Sequence, residues 1–317
     1  MRTARLVTAV IVAILARGAA GQRSAPAARP SPPAAQAFDA RVVSTAWLAA
    51  HLRDPDVVVL QVEGMRMGGN AAAGGRIPGA RDFPFPRVAV RRGTLNAELP
   101  SVAELRETFE ALGVSDATRV VVAYAGDAPS AARVLVALDY LGHDRASLLD
   151  GGLARWRAEG RVVTPAAPPP AVRGTLHPRP RPDVIATAPW IAARLGRPGL
   201  ALVDTRTDGE YQGTAERHGM PSAGHLAGAR QLQWEQLFQG DGGSAGGAML
   251  KPAAELRRLF AERMQPGDTV VTYCWVGYRA SATYVAARAL GLPVRLYDGS
   301  YEDWSQQKRP VREGPTP

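Results

Sequence analysis

The stretch Thr269-Val270-Val271-Thr272-Tyr273 runs into Cys274-Trp275-Val276-Gly277-Tyr278-Arg279, and from there into Ala280-Ser281-Ala282-Thr283-Tyr284-Val285-Ala286-Ala287-Arg288-Ala289-Leu290. Five β-branched or aromatic residues in a row read as a strand buried on both faces. The last eleven carry a helical pattern beginning at about Ala280, so six residues are left as the loop between strand and helix. Strands of this kind alternating with helices mean a parallel sheet covered on both faces, an α/β fold.

The same unit occurs earlier in the chain, where Val120-Val121-Val122-Ala123-Tyr124 matches Thr269–Tyr273. Gly79 precedes Ala125 by 46 residues, and Gly228 precedes Cys274 by the same 46. Ile77-Pro78-Gly79-Ala80-Arg81 matches Leu226-Ala227-Gly228-Ala229-Arg230, and Trp47 and Trp190 each stand 14 residues before a strand end, Gln61 and Asp204. Both halves close with Asp-Gly and a Trp six residues after the Asp, Asp150 to Trp156 and Asp298 to Trp304. Spacings matched over more than 100 residues indicate two copies of one domain. The recurring tryptophans Trp47, Trp156, Trp190 and Trp304 are expected in the core.

Between the copies, Thr164-Pro165-Ala166-Ala167-Pro168-Pro169-Pro170 and His177-Pro178-Arg179-Pro180-Arg181-Pro182 favour extended backbone and form the linker. At the start, Arg2 and Arg5 precede the ten apolar-patterned residues Leu6–Leu15, with small residues following to Gly21. That order reads as a secretory signal peptide, and a run of ten is too short to span a bilayer. The expected organisation is a signal peptide (1–21), a disordered tether (22–38), a first α/β copy (39–160), a Pro-rich linker (161–182) and a second copy (183–313). The expected location is outside the cytoplasm, in the periplasm, with no stable membrane insertion after the leader is removed.

Composition narrows the chemistry. The 317 residues hold one cysteine, which rules out an intramolecular disulfide framework, an iron–sulfur cluster and a multi-cysteine zinc site. The formal charge of +9 comes almost entirely from arginines scattered along the chain, with no basic run carrying interleaved aromatics. No nucleic-acid partner is expected, although a positive field suits small anions. Removing Arg2, Arg5 and Arg17 with the leader lowers the charge to +6.

The loop Cys274–Arg279 carries the chemistry. Ligands in parallel α/β sheets bind at the carboxyl ends of strands, where the next helix aims its N-terminus. A cysteine there meets unpaired backbone N–H groups and the positive end of a helix dipole, and both favour a thiolate. Gly277 lets successive N–H groups turn toward the sulfur, and Arg279 adds a cation. The bland reading, a small buried apolar cysteine, is opposed by the repeat: the first copy has Ala125, Ala128 and Ser130 where the second has Cys274, Gly277 and Arg279. The pattern is that of one active and one silent domain.

Four motifs in order, duplicated in outline, carry a family resemblance: the loop Cys274–Arg279; Asp204-Thr205-Arg206 with Glu210-Tyr211-Gln212-Gly213; Gly224-His225-Leu226-Ala227-Gly228-Ala229; and Asp298-Gly299 with Trp304. Over about residues 39–313 the chain resembles the tandem-domain rhodaneses, thiosulfate or 3-mercaptopyruvate sulfurtransferases. The resemblance implies two tandem rhodanese-like domains, the first catalytically silent, and a Cys274 persulfide filled from a small anionic sulfur donor and emptied onto cyanide, a thiol or a thiol acceptor protein. It implies catalysis by Cys274, donor binding by Trp275, Val276, Gly277, Tyr278 and Arg279, and no metal or other cofactor. Arg279 lies five positions after Cys274, the sulfurtransferase loop length; related phosphatases carry one more residue.

Asp204 and Arg206 are expected to support the loop, and the His225 of the Gly-Ala motif is expected to be structural. Trp275 is expected to wall the pocket, and Trp234-Glu235 to reach toward the domain interface. Related enzymes tend to carry Arg where this chain has Glu210, and Arg279 or Arg217 is expected to supply the missing cation. Arg at the sixth loop position favours thiosulfate. Two other functional readings stay open: 3-mercaptopyruvate as substrate, and a non-enzymatic persulfide carrier or anion-binding module. An inert thiol in a structural domain is the third alternative.

Overall fold

In the computed structural model the described residues are 38, 40–64, 75–215, 223–240, 247 and 249–317. The expected signal peptide, nearly all of the tether and Arg217 lie outside them. No described helix is long and apolar enough to cross a membrane.

The strands in chain order are β1 (Val42–Val43), β2 (Val57–Val62), β3 (Arg81–Phe83), β4 (Val90–Arg92), β5 (Leu95–Glu98), β6 (Arg119–Tyr124) and β7 (Ala146–Leu149) in the first copy. The second copy holds β8 (Ile185–Ala186), β9 (Leu200–Asp204), β10 (His225–Leu226), β11 (Arg230–Gln231), β12 (Thr269–Tyr273), β13 (Val294–Tyr297) and β14 (Val311–Arg312). Each copy builds one five-stranded sheet, β1-β7-β6-β2-β3 and β8-β13-β12-β9-β11, the same order twice. Every neighbouring pair in both sheets is parallel. The central strands β6 and β12 are buried along nearly their whole length, which is why they read as unbroken apolar runs rather than alternating ones.

The helices are α1 (Thr45–His51), α2 (Val102–Ala111), α3 (Ala128–Leu141), α4 (Gly152–Ala158), α5 (Ala188–Ala192), α6 (Asp208–Gln212), α7 (Ala253–Ala261), α8 (Tyr278–Ala289) and α9 (Ser300–Gln306). Helices α3 and α8, which follow β6 and β12, pack along each other at the centre of the molecule. Both are therefore buried nearly all round, and their apolar or small residues show little one-sided pattern. One apolar cluster runs through the inner faces of both sheets and these two helices, while the outer face of each sheet has a smaller cluster of its own.

The copies also exchange clasps. The β4–β5 hairpin of the first reaches α9 of the second: Asn96 N–H and Nδ2 donate to the two Glu302 carboxylate oxygens at 2.7 and 2.6 Å, and Thr94 Oγ1 to Gln306 at 2.6 Å. Leu99 N–H donates to Asp298 at 2.8 Å, and in the reverse direction Leu250 N–H donates to Asp150 at 2.8 Å. Arg133 of α3 completes the junction with an ion pair to Asp298 at 2.5 Å and bonds to the carbonyls of Val88 (3.1 Å) and Ala97.

The linker carries no helix or strand before the 3-10 turn Pro182–Val184, apart from a bridge between Thr164 and Arg76, and it is fastened to the first copy. Arg173 forks onto Glu107 and reaches Glu110, Leu176 N–H donates to Glu110, and Arg179 and Arg181 N–H groups donate to the end of α3. Among the recurring tryptophans, Trp156 and Trp304 are buried and each donates Nε1 to a carbonyl six residues on, Val162 and Pro310. Trp47 and Trp190 differ from expectation. They are half-buried beneath guanidinium groups, Arg119 over Trp47 and Arg194 with Arg295 over Trp190, because they pack on the outer sheet faces.

Candidate active site

Cys274 leaves the sheet at the carboxyl end of β12, and α8 starts four residues later at Tyr278, two residues before the sequence pattern places it. Gly277 makes that early start possible. It holds φ +75°, and a Cβ there would stand 2.8 Å from the Asp298 carbonyl oxygen and 3.3 Å from Arg133 Nη1, so both conformation and space demand glycine.

The loop is fixed from below by α9. Cys274 N–H donates to Ser300 Oγ at 3.2 Å, while the carbonyls of Cys274 and Trp275 accept from the N–H groups of Tyr301 and Glu302, both at 3.0 Å. These donors belong to the first turn of a helix, which cannot satisfy them itself. In a trans peptide N–H and C=O point opposite ways, so the N–H groups sharing those peptide planes, of Trp275 and Val276, face away from α9. Ser300 takes the left-handed φ of +53° and is held there by donating Oγ to the Tyr297 carbonyl at 2.7 Å. The Cys274 side chain is the one thiol in the chain and only 1% of the residue is exposed.

Arg279 is engaged. Its Nη1 and Nη2 donate to the two Glu210 oxygens at 2.8 and 2.9 Å, a two-bond fork with both side chains largely buried. Glu210 is placed by α6, where Thr207 and Glu210 form a reciprocal cap. Trp275 Nε1 also donates to Glu210. Burial pushes the Glu210 carboxyl up, but the bonds and charge of Arg279 outweigh it and pull it down to about 2. Burial likewise disfavours the Arg279 cation, and Glu210 together with the nearby Cys274 more than restores it. Glu235, in the short turn Trp234–Leu237, feels both members of the fork, and burial raises its carboxyl above the usual range.

The other expected residues separate into two groups. Asp204 and Arg206 form a wholly buried pair, Nε to Oδ1 at 2.9 Å and Nη2 to Oδ2 at 2.6 Å, beside Tyr273 in the sheet. The Arg206 guanidinium lies over the rings of Trp275 (4.7 Å) and Tyr301 (4.2 Å), so it props both the loop and the start of α9. Trp275 is 3% exposed and packs into the outer apolar cluster with Val276 alongside, so its indole braces Glu210 instead of walling a pocket. The Tyr278 hydroxyl donates to Asp127 of the first copy, and its ring meets Phe85 edge-on at 5.1 Å. His225 is buried, stacked on Tyr211 at 3.8 Å, with one ring nitrogen at the Tyr211 carbonyl and the other at that of Thr316. Among the described residues no group of three or more His, Cys, Asp or Glu side chains could hold a metal ion.

The matching loop of the first copy is built differently. Its helix α3 starts at Ala128, one matched position earlier than α8, and Asp127 caps it by accepting from Ser130 N–H at 3.1 Å. Ser300, Phe85 and Arg133 carry no local motif that sequence reading could have caught, whereas Asp127, with Pro129 in the first turn after it, carries the signal of a helix start. Glu210 did carry one, an acid standing where an arginine was expected.

A sequence model described as the Rhodanese-like domain matches residues 44–159 and again 187–307. The chain is 33% identical over 292 residues to a probable 3-mercaptopyruvate sulfurtransferase of Pseudomonas aeruginosa, covering 87% of this chain and 99% of that one. It is 31% identical to a thiosulfate sulfurtransferase of the same organism, covering 83% of this chain and 93% of that one. A protein of Thermus thermophilus named sulfur carrier protein TtuD is 32% identical at the same coverage, 83% and 93%. Among solved structures, that of YnjE superposes with a TM-score of 0.74 at 26% identity, covering 86% of this chain and 68% of that one. Two matched domains spanning most of the chain, relatives above 30% identity along nearly their full length and a repeated parallel α/β fold agree: the chain belongs to the rhodanese family of sulfurtransferases, with two rhodanese-like domains in tandem.

Proposed function

We propose that the protein moves sulfane sulfur from thiosulfate to a thiophilic acceptor, cyanide or a thiol, through a persulfide on Cys274. The observation that carries this reading is the seat of Cys274, between the end of β12 and the N-terminus of α8, with the carbonyls of Cys274 and Trp275 bound to α9 and Arg279 five positions on in the first turn of α8. The Cys274 thiolate attacks the outer sulfur of thiosulfate. A sulfur–sulfur bond forms, the bond to the oxidised sulfur breaks, and sulfite leaves with its electron pair. The acceptor then attacks the terminal sulfur and the thiolate is regenerated, so no outside oxidant or reductant enters. An activated thiolate is what such covalent catalysis requires, and fixed N–H donors favour negative charge on the terminal sulfur.

3-Mercaptopyruvate is the second reading, favoured by the Glu210–Arg279 fork, which reduces the pull on a dianion, and by the Pseudomonas relative of that name. The relative named as a sulfur carrier supports a thiol protein as acceptor. The leader-like first 21 residues support export to the periplasm. The test compares thiocyanate formation from thiosulfate and cyanide by the wild type and Cys274→Ser, with intact mass read after donor alone. Turnover and a gain of one sulfur atom in the wild type, both lost in the variant, are expected. Equal turnover in the variant would remove Cys274 from the mechanism, and no turnover in either would remove thiosulfate.

A further inference from the structure

The Cys274 loop contributes one formal cation, Arg279, and the fold spends it internally. Glu210 meets it with two parallel bonds at 2.8 and 2.9 Å, a geometry that fixes a guanidinium in direction as well as charge. Glu210 is itself immobilised by Thr207, whose N–H and Oγ both donate to Oε2 at 2.9 Å, and by Trp275, which Arg206 holds from behind. A second carboxyl, Glu235, lies in the field of the same fork and is half-buried. An incoming anion therefore meets a cation already matched by a fixed carboxylate, on the same loop as the Cys274 sulfur.

We infer that Glu210 tunes the charge selectivity of the site for its sulfur donor: by clamping Arg279 it offsets the loop's cation, which weakens the advantage a dianion such as thiosulfate would otherwise have over a monoanionic donor. This rests on Cys274 being the sulfur-accepting residue, but not on which donor is used. Glu210 is a positioning residue that works through Arg279. Removing its charge while keeping its shape frees the guanidinium for an anionic substrate.

The single cysteine gives a readout that needs no donor. Alkylation of Cys274 by iodoacetate, an anion, and iodoacetamide, its neutral analogue, is measured in wild type, Glu210→Gln and Glu210→Asp. The ratio of the two rates cancels any change in thiolate population or access and reports the charge met by an incoming reagent. In E210Q, whose single amide oxygen can keep the Thr207 cap or the Trp275 bond but not both, the ratio rises about five- to tenfold at low salt and shrinks toward wild type at high salt. E210D, which keeps the charge, stays near wild type. With substrates, E210Q lowers the KM for thiosulfate more than that for 3-mercaptopyruvate and alters kcat less. An unchanged alkylation ratio in folded E210Q overturns the inference. Should E210Q fail to fold, the wild-type ratio is compared with that of free cysteine: a value at or below the free thiol supports the cancelled cation, and one several-fold above it refutes it. Absence of thiosulfate turnover by the wild type would sink the donor assignment alone, because the alkylation ratio does not depend on it.

Discussion

Replacing Arg133 by Met removes a cation buried between the two copies while filling much of its volume. Arg133 is wholly buried; it meets Asp298 at 2.5 Å and the carbonyls of Val88 and Ala97. In the variant Asp298, whose side chain is 9% exposed, keeps the Leu99 N–H bond but loses its counter-charge. Breaking one side of a buried pair costs about 3–5 kcal/mol. For 317 residues an unfolding entropy of about 2.1 cal/mol/K per residue is about 0.7 kcal/mol/K, so the melting temperature drops by about 4–7 °C. Scanning calorimetry at neutral pH reads this directly. Arg145→Met is the control: its pair with Asp56 is about half-exposed on both sides, and its loss shifts melting by about 1 °C or less. Adding Asp298→Asn to Arg133→Met recovers several degrees, because the stranded charge is then gone. An Arg133→Met protein melting within about 2 °C of wild type, or no recovery in the double variant, would refute the buried pair as the link between copies.

Gly277→Ala must hold a left-handed alanine, at about 1–2 kcal/mol, and place its Cβ 2.8 Å from the Asp298 carbonyl; denaturant unfolding should show a loss of about 2–3 kcal/mol, and sulfur transfer should fall about tenfold or more as the loop shifts. Wild-type stability with wild-type turnover would rule that packing out. Glu98 is pushed up to about 8, first by burial and then by Asp298, and one of its oxygens is buried without a partner. The folded state thus keeps a proton that the unfolded chain loses near pH 4.5, and the stability this gives is present below that pH and lost as pH rises toward 8. Glu98→Gln cannot ionise, so its melting temperature relative to wild type should climb from about pH 5 to about pH 8; a flat difference would contradict the burial.

The strands and their duplication were legible because burial on both faces leaves unbroken runs such as Val120–Tyr124 and Thr269–Tyr273, and spacing survives when identity fades. The position of Cys274 followed from strand, loop and helix being contiguous. What stayed hidden depends on chain segments far apart in sequence. The Arg279 that reads as a free rim cation is clamped by Glu210, and Trp275 faces inward because Arg206 and Tyr301 await it there. No periodicity encodes that Arg133 would meet Asp298 or that Tyr278 would meet Asp127. The linker prolines predicted an extended path, but its bonds to α2 and α3 are tertiary facts.

The cap at Asp127 has a bearing on how the two copies could have diverged. The first domain has Ala125 where the second has Cys274; a carboxylate of its own occupies the helix N-terminus, and that carboxylate also holds the second domain's Tyr278. A thiol placed at Ala125 would face an acid that cannot be removed without loosening the Cys274 loop through Tyr278. A change at the head of the first domain's helix is thereby transmitted to the Cys274 loop of the second through one shared side chain.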